Sequence, residues 1–405
     1  MERMSRRGFS TAAALTLAGL TATGAARPAP AKQGELRGMW VASIANRDWP
    51  SRPGLSATAQ RDELLALLDT AVRRRLNTVV LQVRPAADAL WPSPHEPWSA
   101  VLTGTQGKAP GWDPLGTAVK EAHSRGLQLH AWFNPYRIAQ HDDPARLAAS
   151  HPARKHPGWT VRYGGSLYYN PGLPEVRGFV REAMLDAVRR YPLDAVHWDD
   201  YFYPYPVAGQ RFDDAAAFKA HGGGRSLADW RRDNVTRLVR ETGAALKKLR
   251  PGTAFGISPF GIWRNASTDP RGSKSAGLQS YDELYADTRG WVREGLIDYV
   301  CPQLYWHLGN KGADYAELLP WWAGVVRGTG VRLYTGEALY KAGDPAQPRA
   351  WRDPAELSRH LALAGKTPEV RGHVYFAAKD VVRDPSGALR RIVTGHYRDR
   401  AVPPA

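Results

Sequence analysis

Apolar, β-branched runs of five to seven residues recur along the chain, and a longer stretch with apolar positions every three to four residues follows each one. The first pattern predicts strands and the second predicts amphipathic helices. The strand-like runs are 37–43, 78–84, 128–133, 194–198, 254–259, 299–305, 332–336 and 372–377. The helix-like stretches are 61–75, 114–125, 175–190, 227–249, 281–294, 314–327, 354–364 and 386–397. Such alternation predicts parallel strands joined by right-handed crossovers. Eight pairs predict an α/β fold, a closed (β/α)8 TIM barrel over 33–397, with 398–405 as a short tail.

Loop lengths point the same way. Turns from helix back to strand are short, as at Leu76-Asn77, Gly126-Leu127 and Pro251-Gly252-Thr253. Connections from strand to helix are long after the second to fifth strands, running to Pro110, Pro174, Ser226 and Ser280. One end of the barrel is therefore trimmed, and the C-terminal face, where barrels keep their chemistry, carries the long loops. An open doubly wound sheet would also alternate, but no Gly-rich phosphate turn follows the first strand.

Residues 1–32 stand outside the alternation. Arg3, Arg6 and Arg7 precede an apolar stretch over 11–20, and small residues continue to Ala26. This reads as an export signal, and Ser5-Arg6-Arg7-Gly8-Phe9 fits the twin-arginine type, followed by a Pro/Ala linker. Later apolar runs fall short of the eighteen or so residues of a membrane span. The expectation is a protein exported to the periplasm or cell envelope, soluble after signal cleavage, with no lipid anchor because no cysteine lies near the cut. Cys301 is the one cysteine, which excludes an intrachain disulfide or a cysteine zinc site. The net charge of +16 favours an anionic surface. Without a run of five Lys/Arg or a nucleic-acid motif, an acidic glycan or the envelope fits better than nucleic acid. Fifteen Trp and seventeen Tyr exceed what a core needs, and aromatics on loops make platforms for the C–H faces of sugars.

Polar and aromatic groups cluster where the strands end. The first strand offers Trp40, the second Arg84 and Asp88, and the third Asn134 and Arg137. The fourth offers His197, Asp199 and Asp200, followed by Tyr201 and Tyr203. The fifth brings Ser258, Trp263 and Arg264, the sixth Gln303, Tyr305 and Trp306, and the seventh Glu337, Tyr340 and Lys341. On the fourth strand Val196 and Trp198 suit the face covered by helices, so Ala195, His197 and Asp199 are expected to face inward. Hydrolysis of a glycosidic bond usually takes two carboxyls. Asp199 and Asp200 are the leading candidates, and Glu337 is a geometric candidate for a second carboxyl from across the barrel, ahead of Asp88 and Glu96. His197-x-Asp199 with His130 and His307 raises a metal-assisted alternative, but Gly38-Met39-Trp40-Val41-Ala42 lacks the His-x-His pair of barrel metallohydrolases. No metal or cofactor is expected. Gly256-Ile257-Ser258-Pro259-Phe260 breaks the nucleophile elbow, which argues against a serine nucleophile.

Taken together, several segments resemble the glycosyl-hydrolase-like 10 family: Arg37-Gly38-Met39-Trp40-Val41, Trp91-Pro92-Ser93 with Pro97-Trp98-Ser99, and His130-Ala131-Trp132-Phe133-Asn134-Pro135-Tyr136-Arg137. Asp199-Asp200-Tyr201-Phe202-Tyr203, Ser258-Pro259-Phe260-Gly261-Ile262-Trp263-Arg264-Asn265 and Cys301-Pro302-Gln303-Leu304-Tyr305-Trp306 do so as well. The resemblance runs from about Glu35 to about Lys379 and implies a barrel glycosidase of the cell envelope with Asp199-Asp200 at its centre. It implies cleavage of peptidoglycan glycan strands stripped of their peptides, with the polysaccharide as partner and cell-division or envelope proteins as further partners. It does not extend to Glu337, where similar chains carry an apolar or amide residue. A loop acid, or the N-acetyl group of the substrate itself, then remains open as the second participant. Two other readings stand beside this one: a non-catalytic glycan-binding barrel at the envelope, and a metal-dependent hydrolase or deacetylase.

Overall fold

In the computed structural model, which describes residues 34–404, eight parallel strands close into a barrel. They are β1 (Leu36–Val41), β2 (Thr78–Arg84), β3 (Gln128–Phe133), β4 (Ala195–Trp198), β5 (Ala254–Ile257), β6 (Tyr299–Val300), β7 (Arg332–Glu337) and β8 (Val370–Tyr375). Neighbours around the ring follow chain order, and β8 closes on β1. β4 lies with His197 opposite Trp132 of β3 and Gly256 of β5. The export signal read at the N-terminus lies outside the described residues.

Helices cover the outside: α1 (Ala57–Arg73), α2 (Pro114–Ser124), α3 (Pro174–Arg190), α4 (Leu227–Leu249), α5 (Thr288–Arg293), α6 (Tyr315–Val326), α7 (Glu356–Ala364) and α8 (Ala388–Gly395). Their starts follow from local chemistry. Ser56, Asp113, Ser226 and Asp314 each accept a hydrogen bond from an otherwise orphaned backbone N–H, and proline opens α2 and α3. Among the described residues no helix is long and apolar enough to cross a membrane.

Strand parity sorts the core into two layers. Met39, Val41, Val79, Leu81, Val196 and Trp198 pack toward the helices. Trp40, Val80, Trp132, Ala195, Tyr299 and Tyr334 fill the barrel. Gly256 is required there, because a Cβ at that position would stand 1.9 Å from the Tyr299 ring.

Three features depart from the expectation. The sixth strand stops at Val300 because Pro302 has no N–H to give, and Gln303 continues it only through single bridges to Phe260 and Gly336. The helix expected over 281–294 breaks into Ser280–Glu283 and α5, with Tyr285 at φ 54 between them and Asp287 capping the second piece. The loop after β3 holds an antiparallel sheet of Arg137–Ala139, Thr160–Tyr163 and Ser166–Tyr169. These strands are too short for alternation to reveal, although Gly164-Gly165, both at positive φ, is a hairpin-turn pair. At the opposite end of the barrel the C-terminal residues return to β1 and β2, where Val402 and Ala401 carbonyls accept from Glu35 N and Asn77 Nδ2.

Candidate active site

Asp199 and Asp200 leave β4 together at the C-terminal rim, and both are buried. Asp199 accepts hydrogen bonds from Trp132 Nε1 (3.0 Å), Asn134 Nδ2 (3.1 and 3.2 Å) and Tyr201 N (3.1 Å). Burial raises its pKa, while the Arg137 charge and these N–H donors pull it back. Each of its two oxygens accepts twice, so these donors occupy the acceptor positions of the carboxylate. Asp200 has different partners: Gln303 Nε2 donates at 3.0 Å and the Tyr205 hydroxyl donates to the other oxygen. Burial first, and the charge of Asp199 second, push Asp200 up to about 6, against the pull of Tyr205 and Gln303. Burial thus raises both carboxyls, with a cation and N–H donors opposing it at Asp199 and a like charge adding to it at Asp200.

His197 forms the floor. Trp40 Nε1 can only donate, and it lies 3.1 Å from His197 Nε2, so that nitrogen is unprotonated and the ring carries its proton on Nδ1. Nδ1–H then donates to the Tyr299 hydroxyl at 2.8 Å, and Ser258 Oγ reaches Nε2 at 2.9 Å. Burial drives the His197 pKa far below its ordinary value. With both ring nitrogens engaged by protein groups, His197 is a neutral support rather than a metal ligand or proton carrier.

Above this floor opens a cavity of about 480 Å3. Trp40, Trp132, Tyr201, Tyr205, Phe260, Tyr305, Trp306, Tyr340 and Phe376 make its aromatic walls. Polar groups come from Gln82, Gln140, Ser258 and Gln303, and cations from Arg47, Arg137 and Lys341. Arg137 lies 4.9 Å over the Tyr201 ring, Arg47 4.7 Å over Phe376, and Lys341 Nζ donates to Tyr305 O at 2.7 Å. Among the described residues that line it, Asp199 and Asp200 are the only acids. An aromatic chamber of this size with a few convergent polar groups suits a sugar ring.

The structure brings Trp40, Arg137, Asp199, Asp200, Tyr201, Ser258, Gln303, Tyr305, Trp306, Tyr340 and Lys341 to this cavity. Asn134 and His197 sit behind it. Others are elsewhere. Arg84 is buried in an ion pair with Glu96 (Nε–Oε2 2.7 Å) that pins the loop after β2. Tyr203 packs edge-on against Phe212 and Tyr285. Trp263 stacks on Trp321, and Arg264 pairs with Asp269 and Asp282 within its own loop. Asp88 lines a neighbouring groove. Glu337 is a correction. Tyr334 and Gly336 face the barrel interior, so Thr335 and Glu337 on the same strand turn toward the helices. There Glu337 is fully buried between His360 Nδ1 (2.9 Å), His373 Nδ1 (3.0 Å) and Tyr315 OH (2.9 Å). Burial pushes its pKa up, but His360 and His373 outweigh this and hold it at about 2.

Sequence reasoning missed Arg47, Gln82, Trp132, Gln140, Tyr205, Phe260 and Phe376. For Trp132 the signal was available, since it shares parity with the inward His130. Tyr205 and Gln140 lie in loops where no periodicity reports direction.

Residues 35–353 match the family model described as glycosyl hydrolase-like 10. Glycosyl hydrolase YngK of Bacillus subtilis (strain 168) is 47% identical over 374 residues, covering 91% of this chain and 73% of that protein. Glycosyl hydrolase DigH of Escherichia coli (strain K12) is 40% identical over 376 residues, covering 87% and 85%. Among solved structures, the PgaB (BpsB) glycoside hydrolase domain from Bordetella bronchiseptica superposes with a TM-score of 0.57 at 13% identity, covering 89% of this chain and 98% of that one. The alpha-L-fucosidase isoenzyme 2 from Paenibacillus thiaminolyticus gives 0.54 at 12% identity, over 90% of this chain and 50% of that one. These two likenesses are of fold.

Proposed function

Because this chain belongs to the glycosyl hydrolase-like 10 family and is a glycoside hydrolase, we propose that it is an exported enzyme that cleaves peptide-free glycan strands of peptidoglycan. In this reading Asp200 is the acid, and the N-acetyl group of the substrate is the nucleophile. One observation carries it: the two acids of the cavity are consecutive residues on one strand end. Carboxyls on a single wall do not reach both faces of a glycosidic bond, as an acid and a separate protein nucleophile must. An acetamido group on the sugar supplies the missing face.

Asp200, held near pH 6, donates its proton to the leaving oxygen as the C–O bond breaks. The acetamido oxygen closes on the anomeric carbon, and the carboxylate of Asp199 steadies the positive charge that forms, with its shared Asn134 donor the one that can yield to the acetamido N–H. Water then opens the ring, giving its proton back to Asp200, with net retention at the anomeric carbon. The aromatic walls, the +16 charge and the N-terminal export pattern favour an anionic, amino-sugar polymer of the envelope as substrate.

The test incubates the purified protein with intact peptidoglycan, with amidase-treated peptidoglycan and with treated strands that have been de-N-acetylated. Asp199→Asn and Asp200→Asn variants run beside it. New reducing ends should come from the treated, acetylated strands alone, be lost in folded Asp200→Asn and fall to a low rate in folded Asp199→Asn. Equal cleavage of de-N-acetylated strands would refute the substrate nucleophile, and no release from any sample would refute the substrate class.

A further inference from the structure

A second groove, of about 610 Å3, lies between the turn after β1 and the loops after β2 and β3. Ile44 and Gln140 line both it and the aspartate cavity, so the two spaces adjoin. Both volumes fall in the range of small-molecule sites, about 300–1,000 Å3. Asp88 lies in the wall of this groove and is only 4% exposed. Its Oδ2 accepts from Gln106 Nε2 at 3.3 Å, while Oδ1 has no hydrogen-bond partner among the described residues. Arg84, whose charge acts on Asp88, is committed to Glu96. His141, also in the wall, has a buried Nδ1 with no hydrogen-bond partner among the described residues. Buried polar atoms left unmade are costly, about 1–3 kcal/mol each, and a fold seldom keeps two beside one space without use for them.

The charge state narrows the ligand. Burial pushes Asp88 up to about 7, against the pull of Gln106 and Ser99, so a large share of molecules carry the proton at neutral pH. Burial, followed by the Arg146 charge, lowers the His141 pKa and keeps that ring neutral. Neutral donors and acceptors of both kinds suit hydroxyl and amide groups. An anion would meet Asp88 whenever it ionises.

We infer that this groove is a further subsite, which binds uncharged N-acetylhexosamine rings of the same glycan through Asp88, Gln106 and His141. The inference rests on the substrate reading above and adds that recognition extends from the aspartates toward the β2 and β3 loops. Affinity therefore rises with chain length.

The experiment titrates N-acetylglucosamine dimers and hexamers into the Asp200→Asn variant by calorimetry, and separately follows release of reducing ends from amidase-treated peptidoglycan by the unaltered enzyme. The hexamer should bind about tenfold more tightly, the worth of one or two hydrogen bonds. That advantage should vanish when Asp88→Ala is added, and also with Ala100→Trp, which adds bulk at a partly exposed position in the groove wall and leaves Asp88 unaltered. Equal affinity for dimer and hexamer would overturn the inference, and so would an advantage that survives both substitutions. A length advantage in binding, with no reducing ends released from amidase-treated peptidoglycan by the unaltered enzyme, would refute the substrate reading of the previous section and leave the groove supported.

Discussion

Two substitutions beside Asp200 should move one titration in opposite directions. A general acid works while protonated, so kcat/KM should hold below the Asp200 value of about 6 and fall about tenfold for each pH unit above it. Tyr205→Phe removes a hydrogen bond that favours the ionised carboxylate. Hydrogen bonds to a charged group are worth about 1.5–3 kcal/mol, and one pKa unit corresponds to about 1.4 kcal/mol. The alkaline limb should therefore shift up by about one to two units, extending activity to higher pH in an enzyme that has lost an active-site hydroxyl. Asp199→Asn removes the like charge that raises Asp200, and a neighbouring charge moves a carboxyl by about one to three units. In that variant the limb should shift down. The assay is kcat/KM from pH 4 to 9 on a chromogenic N-acetylated oligosaccharide, with reducing ends measured in parallel. The limb's position is read independently of its height, so the low rate of Asp199→Asn does not obscure it. Shifts in the same direction, or a limb fixed in both variants, would show that another group delivers the proton.

The same electrostatics predict that Asp200→Asn stabilises the protein. A carboxyl raised from its ordinary value near 3.9 to about 6 favours folding least where it must ionise. Stability is therefore lost as pH rises between those values, by about 3 kcal/mol at pH 7. Urea unfolding should show the variant more stable at pH 7 and equal to the parent near pH 4, and a pH-independent difference would refute this. Glu337→Gln should act in the opposite sense, losing about 3 kcal/mol of stability because buried His360 and His373 lose the anion they share and only Glu356 remains beside His360, while activity per folded molecule is retained. Since Glu337 is held at about 2, its contribution is present above the ordinary carboxyl range and disappears as pH falls toward 2, so the two urea midpoints should converge in acid. A variant that stays as stable as its parent but loses turnover would return Glu337 to the chemistry. Gly256→Ala should cost at least about 3 kcal/mol, seen as a lost or lowered thermal transition, because the added methyl meets the Tyr299 ring inside the barrel.

How much of this was legible before the fold was seen depends on the range of the interactions. Strand and helix periodicities are local, so the eight pairs, the elaborated face and the inward turn of His197 and Asp199 could be read from residues next to one another. Errors arose where local signals are weak: Pro302 shortened a strand, Tyr285 split a helix, and the strands of the small sheet were too short to alternate visibly. The site shows the same division. That two acids end the fourth strand is a property of the chain alone. That Asp200 is raised to about 6 comes from burial and the Asp199 charge acting against Tyr205 and Gln303, the latter 103 residues away, a balance that no single segment provides. Glu337 was placed opposite those acids by strand order, yet side-chain direction on β7 turned it to the helices, where His360 and His373 awaited it. Residue order along the chain sets which groups reach the rim of the barrel. Desolvation and contacts between distant strands, which exist only after closure, decide which of them holds a proton.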